Sequence, residues 1–320
     1  MKIGIIGAGA TGSVFGGYLR RGGADDLSFV DIYKAHMDAV NKDGLLFTVI
    51  GEGEYRYTDI KAYTDPAQAG ILDAAIFITK ANQLRSAVKN ALPCIGPDTV
   101  AVSLINGIGN DEVLEEFFPR EHIIIGSGVI GTELPEPGHC IAKPVSSVNM
   151  NFGALKKSEA SERVCRYLYE HFKAGGMNPM VYDDVMPVIW KKVIVNCAVC
   201  GCCSVLGLKE GPIEDNIYGA QLYRKVIGEA CTVAAACGYP IDPDDFTEHV
   251  FKNVIKGNYD YYPSMAQDML IYKRPTEIDA LNGKIAELGR RFDIAAPVNE
   301  AIALIVKCRQ DNYDKIYPNG

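Results

Sequence analysis

The sequence has no surplus of positive charge: 32 Lys and Arg stand against 40 Asp and Glu, giving a formal net charge of −8 over 320 residues, and no basic stripe runs through it. That argues against nucleic acid as a partner, although an anionic substrate needs only local positive charge. No apolar run reads as near the ~20 residues of a membrane span, and the N-terminus lacks a signal-peptide pattern. The expectation is a cytoplasmic chain with no membrane partner. Internal repeats and low-complexity tracts are also missing. Among ten cysteines there is no second C-x-x-C to complete a zinc set. Cys197, Cys200, Cys202 and Cys203 do cluster, but on a predicted helix, where successive positions point apart. Cysteine in a cytosolic protein is more often a small buried hydrophobe, so no metal is expected.

What remains is an ordinary globular composition, 48% hydrophobic and 22% charged, and a length that suits two domains. The organising stretch is the start of the chain. Ile3, Ile5 and Ile6 read as a buried strand, Gly7-Ala8-Gly9-Ala10-Thr11-Gly12 fits G-x-G-x-x-G, and Ser13 to Leu19 can continue as a helix. In that context Gly7 makes the tight turn, Gly9 lets backbone approach a pyrophosphate, and Gly12 lets the helix pack closely on the strand. The helix N-terminus, at Ala10 and Thr11, then turns its free N–H groups to the phosphates. Leu27 to Val30 reads as a second strand ending in Asp31, nineteen residues after Gly12. A carboxylate there accepts both ribose hydroxyls and repels a 2′-phosphate, which favours NAD over NADP. A solvated loop aspartate is the plainer reading, and nearby Lys34 could serve a phosphate instead.

Downstream, helix is expected over 36–41, strands over 44–49 and 55–57 around a Gly51-Glu52-Gly53 turn, and a strand over 74–79 ending at Lys80. A helix over 83–90 precedes a strand over 99–104 ending at Asn106-Gly107, with more strand at 123–125 and 145–152. An amphipathic helix over 158–172 precedes a last strand at 179–182. This alternation implies a doubly wound parallel sheet with ligands beyond the C-terminal strand ends, where Lys80 and Asn106 fall. Taken singly, a solvated lysine and a turn asparagine before glycine are the plainer readings.

From residue 183 onward only helices are expected, giving a Rossmann domain over 1–182 and a helical domain over 183–320. The second opens with a helix over about 187–205, apolar nearly all round. On it Lys192 and Asn196 share a face extended by Cys200 and Cys203, while Lys191 points to solvent. A lysine and an asparagine on a buried helix need partners or a ligand. Ser264 is a helix cap or a substrate donor. Arg274-Pro275-Thr276-Glu277 opens a helix whose core stripe is Ile278, Leu281, Ile285 and Leu288. Glu277 either complements that helix's dipole or keeps a buried lysine charged.

The ordered pieces Gly7–Gly12, Thr79-Lys80-Ala81, Leu104-Ile105-Asn106-Gly107-Ile108-Gly109, Trp190–Asn196, and Ser264–Asp268 followed by Glu277–Gly283 resemble the ketopantoate reductase family over nearly the whole chain. The resemblance implies a Rossmann domain followed by an all-helical one, and a reductase taking hydride from NAD(P)H to a 2-keto acid. It implies Lys192 as general acid and Glu277 as its positioning partner or a substrate ligand. Asn196, Ser264 and Asn106 would hold substrate, with Lys80 and Asn106 on the cofactor side. A buried cation within reach of the developing oxyanion suits that chemistry. Two departures stand out. Where the family commonly carries a second asparagine in a segment like Asn-Pro-Leu-Thr, this chain reads Cys200-Gly201-Cys202-Cys203, placing Cys200 on the substrate face. Where members often carry an arginine for the 2′-phosphate, it reads Asp31-Ile32-Tyr33-Lys34.

The family default is reduction of 2-dehydropantoate to pantoate with NADP. The alternatives are an NAD-linked D-2-hydroxy acid dehydrogenase for branched or aromatic substrates, and a nucleotide-binding sensor without turnover. A homodimer is expected from the apolar helical domain and from common usage in similar enzymes.

Overall fold

Four fully buried residues, Ile3–Ile6 (β1), lie inside an eight-stranded sheet and set its register: Ile5 stands opposite Phe29 on one side and Ile76 on the other. The structure is a computed structural model describing residues 1–144 and 149–315. After β1 come α1 (Ala10–Arg21), β2 (Leu27–Val30), α2 (Lys34–Asp43), β3 (Leu45–Val49), β4 (Gly53–Tyr57) and β5 (Lys61–Tyr63). Next are β6 (Ala74–Phe77), α3 (Leu84–Ala91), β7 (Val100–Ser103), α4 (Asn110–Glu115) and β8 (Ile123–Gly128). The unit closes with β9 (Ile130–Glu136), β10 (His139–Pro144), β11 (Met150–Ala154), α5 (Glu159–Ala174) and β12 (Pro179–Val181). The main sheet runs β12-β11-β8-β7-β6-β1-β2-β5, parallel except where β8 meets β11. Strand order therefore reverses at β1, the switch point where open α/β sheets bind ligands beyond their carboxyl ends. Phe15 and Tyr18 of α1 are buried, Phe15 edge-on to Phe172 of α5 and Tyr18 edge-on to Phe47 of β3.

The strands around the Gly51-Glu52-Gly53 turn form where the sequence places them, but not in the parallel sheet. They belong to a separate four-stranded sheet, β4-β3-β10-β9, whose partners β9 and β10 the sequence reading missed. The reason is physical: β9 is solvated along much of its length and ends in Leu-Pro-Glu, so little alternation marks it. Part of the strand expected over 145–152 falls on residues 145–148, outside the described residues; the described strand is β11.

A second unit comprises residues 107–109 and 186–320, the first being 1–106 and 110–185. Within it, Ile108 N–H donates to the Ala280 carbonyl (3.3 Å). Its helices are α6 (Met186–Leu206), α7 (Glu210–Asp215), α8 (Ile217–Ala236), α9 (Pro243–His249), α10 (Ser264–Leu270), α11 (Asn282–Arg291) and α12 (Pro297–Gln310). Helix α6 packs against α8, α10 and α12. At 21 residues and mean hydropathy 1.6 over its most apolar window, it is long and apolar enough to cross a membrane by length and composition alone, although Lys191, Lys192 and Asn196 keep its unbroken apolar runs short. Two-thirds of that window is buried within the protein (67%), as in a core helix.

The helix expected to open at Arg274 does not run through. A short 3₁₀ turn, Ile278–Ala280, ends at Leu281 (φ −114°, ψ −110°), and α11 starts afresh at Asn282. Asn282 explains the break. Its amide, fully buried, donates to the Cys197 carbonyl of α6 and to Asn299 Oδ1 (3.0 Å each). Asn299 in turn donates to Glu229 Oε2 of α8 at 2.8 Å. One polar chain thus ties α6, α8, α11 and α12 together, and a continuous helix would carry Asn282 elsewhere.

Candidate active site

The glycine turn has the shape its spacing calls for. Gly7 has φ +96°, and a Cβ there would lie 2.6 Å from the Ile78 carbonyl oxygen. A Cβ on Gly12 would lie 2.2 Å from the Gly7 carbonyl oxygen, so α1 can rest on the turn only without a side chain. Gly9 is the reverse case. Nothing lies within 4 Å of where its Cβ would be, and no side chain caps the N–H groups of Ala10, Thr11 and Gly12 that follow. Open space beside uncapped donors at a helix N-terminus fits a pyrophosphate.

Asp31 follows β2 and its carboxylate accepts the N–H of Tyr33 (2.8 Å) and that of Ala8. Burial raises its pKa, and those two N–H groups pull it back. Lys34 is committed elsewhere, paired with Asp38 through both carboxylate oxygens (2.8 and 2.7 Å). Beneath the turn lies a chain of bonds the sequence did not announce. His36 is fully buried; its Nδ1 accepts the Gly138 N–H (2.8 Å), so the neutral ring carries its proton on Nε2. That proton goes to Ser13 Oγ (2.9 Å), which donates to the Ala8 carbonyl (2.9 Å). Burial lowers the His36 pKa to about 4, so the ring is neutral at ordinary pH. Lys80 and Asn106 are half-buried beyond β6 and β7, at the carboxyl ends of those strands.

In the second unit, Lys192, Asn196 and Cys200 stand one helical turn apart along α6. Lys191 is exposed and Lys192 half-buried, as their positions on the helix require. Burial is the largest influence on the Lys192 ammonium, bringing its pKa from 10.5 to about 8, while Glu277 works in the opposite direction. Cys200 acts with Glu277 only as a thiolate, and burial pushes its own thiol far up, so Glu277 is the standing charge. Glu277 is half-buried just before the 3₁₀ turn, anchored there because Thr276 donates both N–H (2.7 Å) and hydroxyl to Gln310 of α12. The carboxamide of Asn196 makes no hydrogen bond to any of the described residues. Ser264 is exposed at the first position of α10; Pro263 holds the cap position, so a capping role for Ser264 does not hold. The next residue, Met265, turns its N–H to the Cys200 thiol. Lys192, Cys200, Glu277 and the start of α10 therefore share one neighbourhood.

Sequence reasoning missed Glu210. In Lys209-Glu210-Gly211-Pro212 it reads as a solvated turn, yet it is 2% exposed and its Oε2 is buried with no hydrogen-bond partner. Burial raises its pKa to about 8. Among the described residues no three His, Cys, Asp or Glu side chains gather as a metal set. The four thiols of α6 are all buried and all pushed upward by burial.

Two family profiles cover most of the chain: Ketopantoate reductase PanE/ApbA over residues 3–157, and Ketopantoate reductase PanE/ApbA C terminal over 184–310. The 2-dehydropantoate 2-reductase of Pyrococcus horikoshii is 31% identical, with 97% of this chain and 98% of the relative aligned. That of Streptococcus pyogenes serotype M3 is 28% identical over the same shares. Among solved structures, D-mandelate dehydrogenase with NADH and anilino(oxo)acetate superposes with a TM-score of 0.85 at 27% identity, covering 98% of this chain and all of the other (100%). With a glycine-rich turn at the switch point of its sheet and Lys192 near Glu277 in its helical unit, this chain is an oxidoreductase belonging to the ketopantoate reductase family.

Proposed function

We propose that the protein reduces a 2-keto acid to the 2-hydroxy acid, with Lys192 as the proton donor. The observation that carries the reading is a half-buried lysine, brought to a pKa of about 8, whose charge is supported by Glu277. Bound NAD(P)H supplies a hydride to the carbonyl carbon. As that bond forms, the carbonyl oxygen takes the electron pair, Lys192 Nζ gives it a proton, and the lysine is left as a neutral amine. A donor with a pKa near the working pH is suited to this transfer, because neither protonated nor deprotonated form is trapped. Glu277 positions Lys192 and keeps it charged before the transfer. Asn196, Ser264 and Asn106 hold the substrate's carboxylate and oxygens, and Cys200 offers the substrate a neutral thiol. Gly7, Gly9, Ala10, Thr11 and Gly12 cradle the pyrophosphate, Asp31 takes the adenosine ribose, and Lys80 and Asn106 contact the cofactor. Residues 1–182 serve as the nucleotide domain and 183–320 as the substrate domain.

Asp31 supports NADH over NADPH, since its anchored carboxylate repels a 2′-phosphate. Ketopantoate is the default substrate. Cys200 supports a second reading, a branched or aromatic 2-keto acid, because a thiol cannot replace the two hydrogen-bond functions of a carboxamide. The D-mandelate dehydrogenase likeness agrees with that reading. We further infer a cytoplasmic homodimer, which a sedimentation mass of one chain would contradict.

The test is nicotinamide oxidation with NADH and NADPH separately, against ketopantoate, 2-ketoisovalerate and an aromatic 2-keto acid. Turnover lost in Lys192→Ala supports the assignment, and unchanged turnover sinks it. A parent inactive on the whole panel points instead to a nucleotide sensor.

A further inference from the structure

Along α6 the residues Lys192, Asn196 and Cys200 form one line, and Cys203 continues it. Off the end of that line sits the carboxyl of Glu210. It acts electrostatically on Cys200 and Cys203 of α6 and on Tyr223 of α8, and Cys200 also feels Glu277, the partner of Lys192. The backbone of Glu210 is fixed at both ends: its N–H donates to the Tyr261 carbonyl (3.3 Å) and its carbonyl accepts the Tyr223 hydroxyl (3.3 Å). The side chain is thus aimed into the interior by its own backbone anchors, with Oε2 buried and unpartnered.

A buried carboxyl oxygen without a partner is unfavourable. Among the described residues nothing offsets that cost. Cys200 and Cys203 are neutral thiols and Tyr223 a neutral phenol, all held so by burial. From the other segments packed on α7, Lys252 and Lys256 are exposed and exert no influence on it, and the Tyr259 hydroxyl is spent on Asp215.

We propose that Glu210 is a further substrate-binding residue: it binds in its acid form, donating its proton to an oxygen at the far end of the substrate's side chain. The proposal rests on the 2-keto acid reading and deepens it. The substrate's own carboxylate enters the same neighbourhood, so an ionised Glu210 repels it and a protonated one does not. Binding of the anionic acid is therefore coupled to the proton on Glu210. The polar contact missing at Cys200 is supplied from α7 instead, and the favoured substrates carry a side-chain oxygen.

The experiment is titration calorimetry on the full chain saturated with NADH. The probes are pantoate and 2-hydroxy-3,3-dimethylbutanoate, which has the same skeleton without the terminal hydroxyl. Measurements in buffers of different ionisation enthalpy count the protons taken up. With Glu210 titrating at about 8, only about a quarter of it is protonated at pH 8.5 before binding. The parent should then take up about three-quarters of a proton more than Glu210→Gln. It should also favour pantoate by about tenfold, a preference kept in Glu210→Gln and lost in Glu210→Leu. Equal uptake in parent and Glu210→Gln, an unchanged preference in Glu210→Leu, or no binding of either acid overturns the proposal. If no 2-keto acid is turned over while the uptake difference stands, the reductase reading fails and the binding role of Glu210 survives. The opposite outcome removes only Glu210.

Discussion

Replacing Glu277 by Gln removes a negative charge and little volume, so its first effect should fall on Lys192. The Lys192 pKa of about 8 lies roughly 2.5 below its ordinary 10.5, and it is already supported by Glu277. An opposite charge close to an ammonium is worth about 1–3 pKa units. Taking about 1.5 from that range, Lys192 in Glu277→Gln should titrate at about 6.5. At pH 7.5 the charged fraction would fall from about three-quarters to about one-tenth, and kcat/KM with it by about eightfold. Near pH 5.5 the two proteins should differ far less, because both lysines are then protonated. The assay is NADH oxidation with the preferred 2-keto acid across pH 5.5 to 9.5, fitted for the inflection of kcat/KM. An inflection that stays at 8, or moves to higher pH, would refute the claim that Glu277 is the charge sustaining Lys192. A uniform loss at every pH would say the same, assigning Glu277 to substrate contact alone.

Other consequences can be checked without turnover. Because folding lowers the Lys192 pKa, the folded chain binds fewer protons than the unfolded one between about 8 and 10.5, and stability rises with pH across that window. Lys192→Met should therefore raise Tm at pH 7, by at most ~3 kcal/mol of stability, while abolishing reduction. Glu210 has the opposite sign: its pKa is raised from 4.5 to about 8, so its stabilising protonation is complete below 4.5 and is lost as pH rises through 8. Glu210→Gln should be more stable than the parent at pH 8.5, with the gap closing near pH 5. Gly12→Ala puts a methyl 2.2 Å from the Gly7 carbonyl oxygen and should cost about 3 kcal/mol in chemical denaturation. His36→Ala removes the donor that orients the Ser13 hydroxyl, which holds the Ala8 carbonyl; KM for NADH should rise about tenfold with kcat held, and a matching fall in kcat would count against it.

The parallel sheet was legible because each of its inner strands is a short apolar run bounded by glycine, asparagine or a charge, and all four residues of β1, β2, β6 and β7 are buried. The four-stranded sheet was legible only in β3 and β4; β9 is solvated along much of its length and carries no apolar run of its own. Lys192 announced itself by being charged on an otherwise apolar helix. Glu210 could not, because residues that anchor it, Tyr223 and Tyr261, are remote in sequence. The break before α11 was hidden for a related reason. Ile278, Leu281, Ile285 and Leu288 keep helical spacing through it, and the cause is a side-chain amide reaching Cys197 and Asn299. Pattern reports which face is apolar, and buried polar partners decide where a helix stops.

Eight of the ten cysteines are buried, Cys237 is intermediate, and Cys308 on α12 is exposed. An alkylating reagent or a maleimide dye meets a thiol only where solvent can carry it. The native chain therefore comes with a ready attachment point on α12, and a fluorophore placed there reports on the helical unit with no cysteine removed. Modification of a buried α6 thiol would be a direct signal that the helical core has opened.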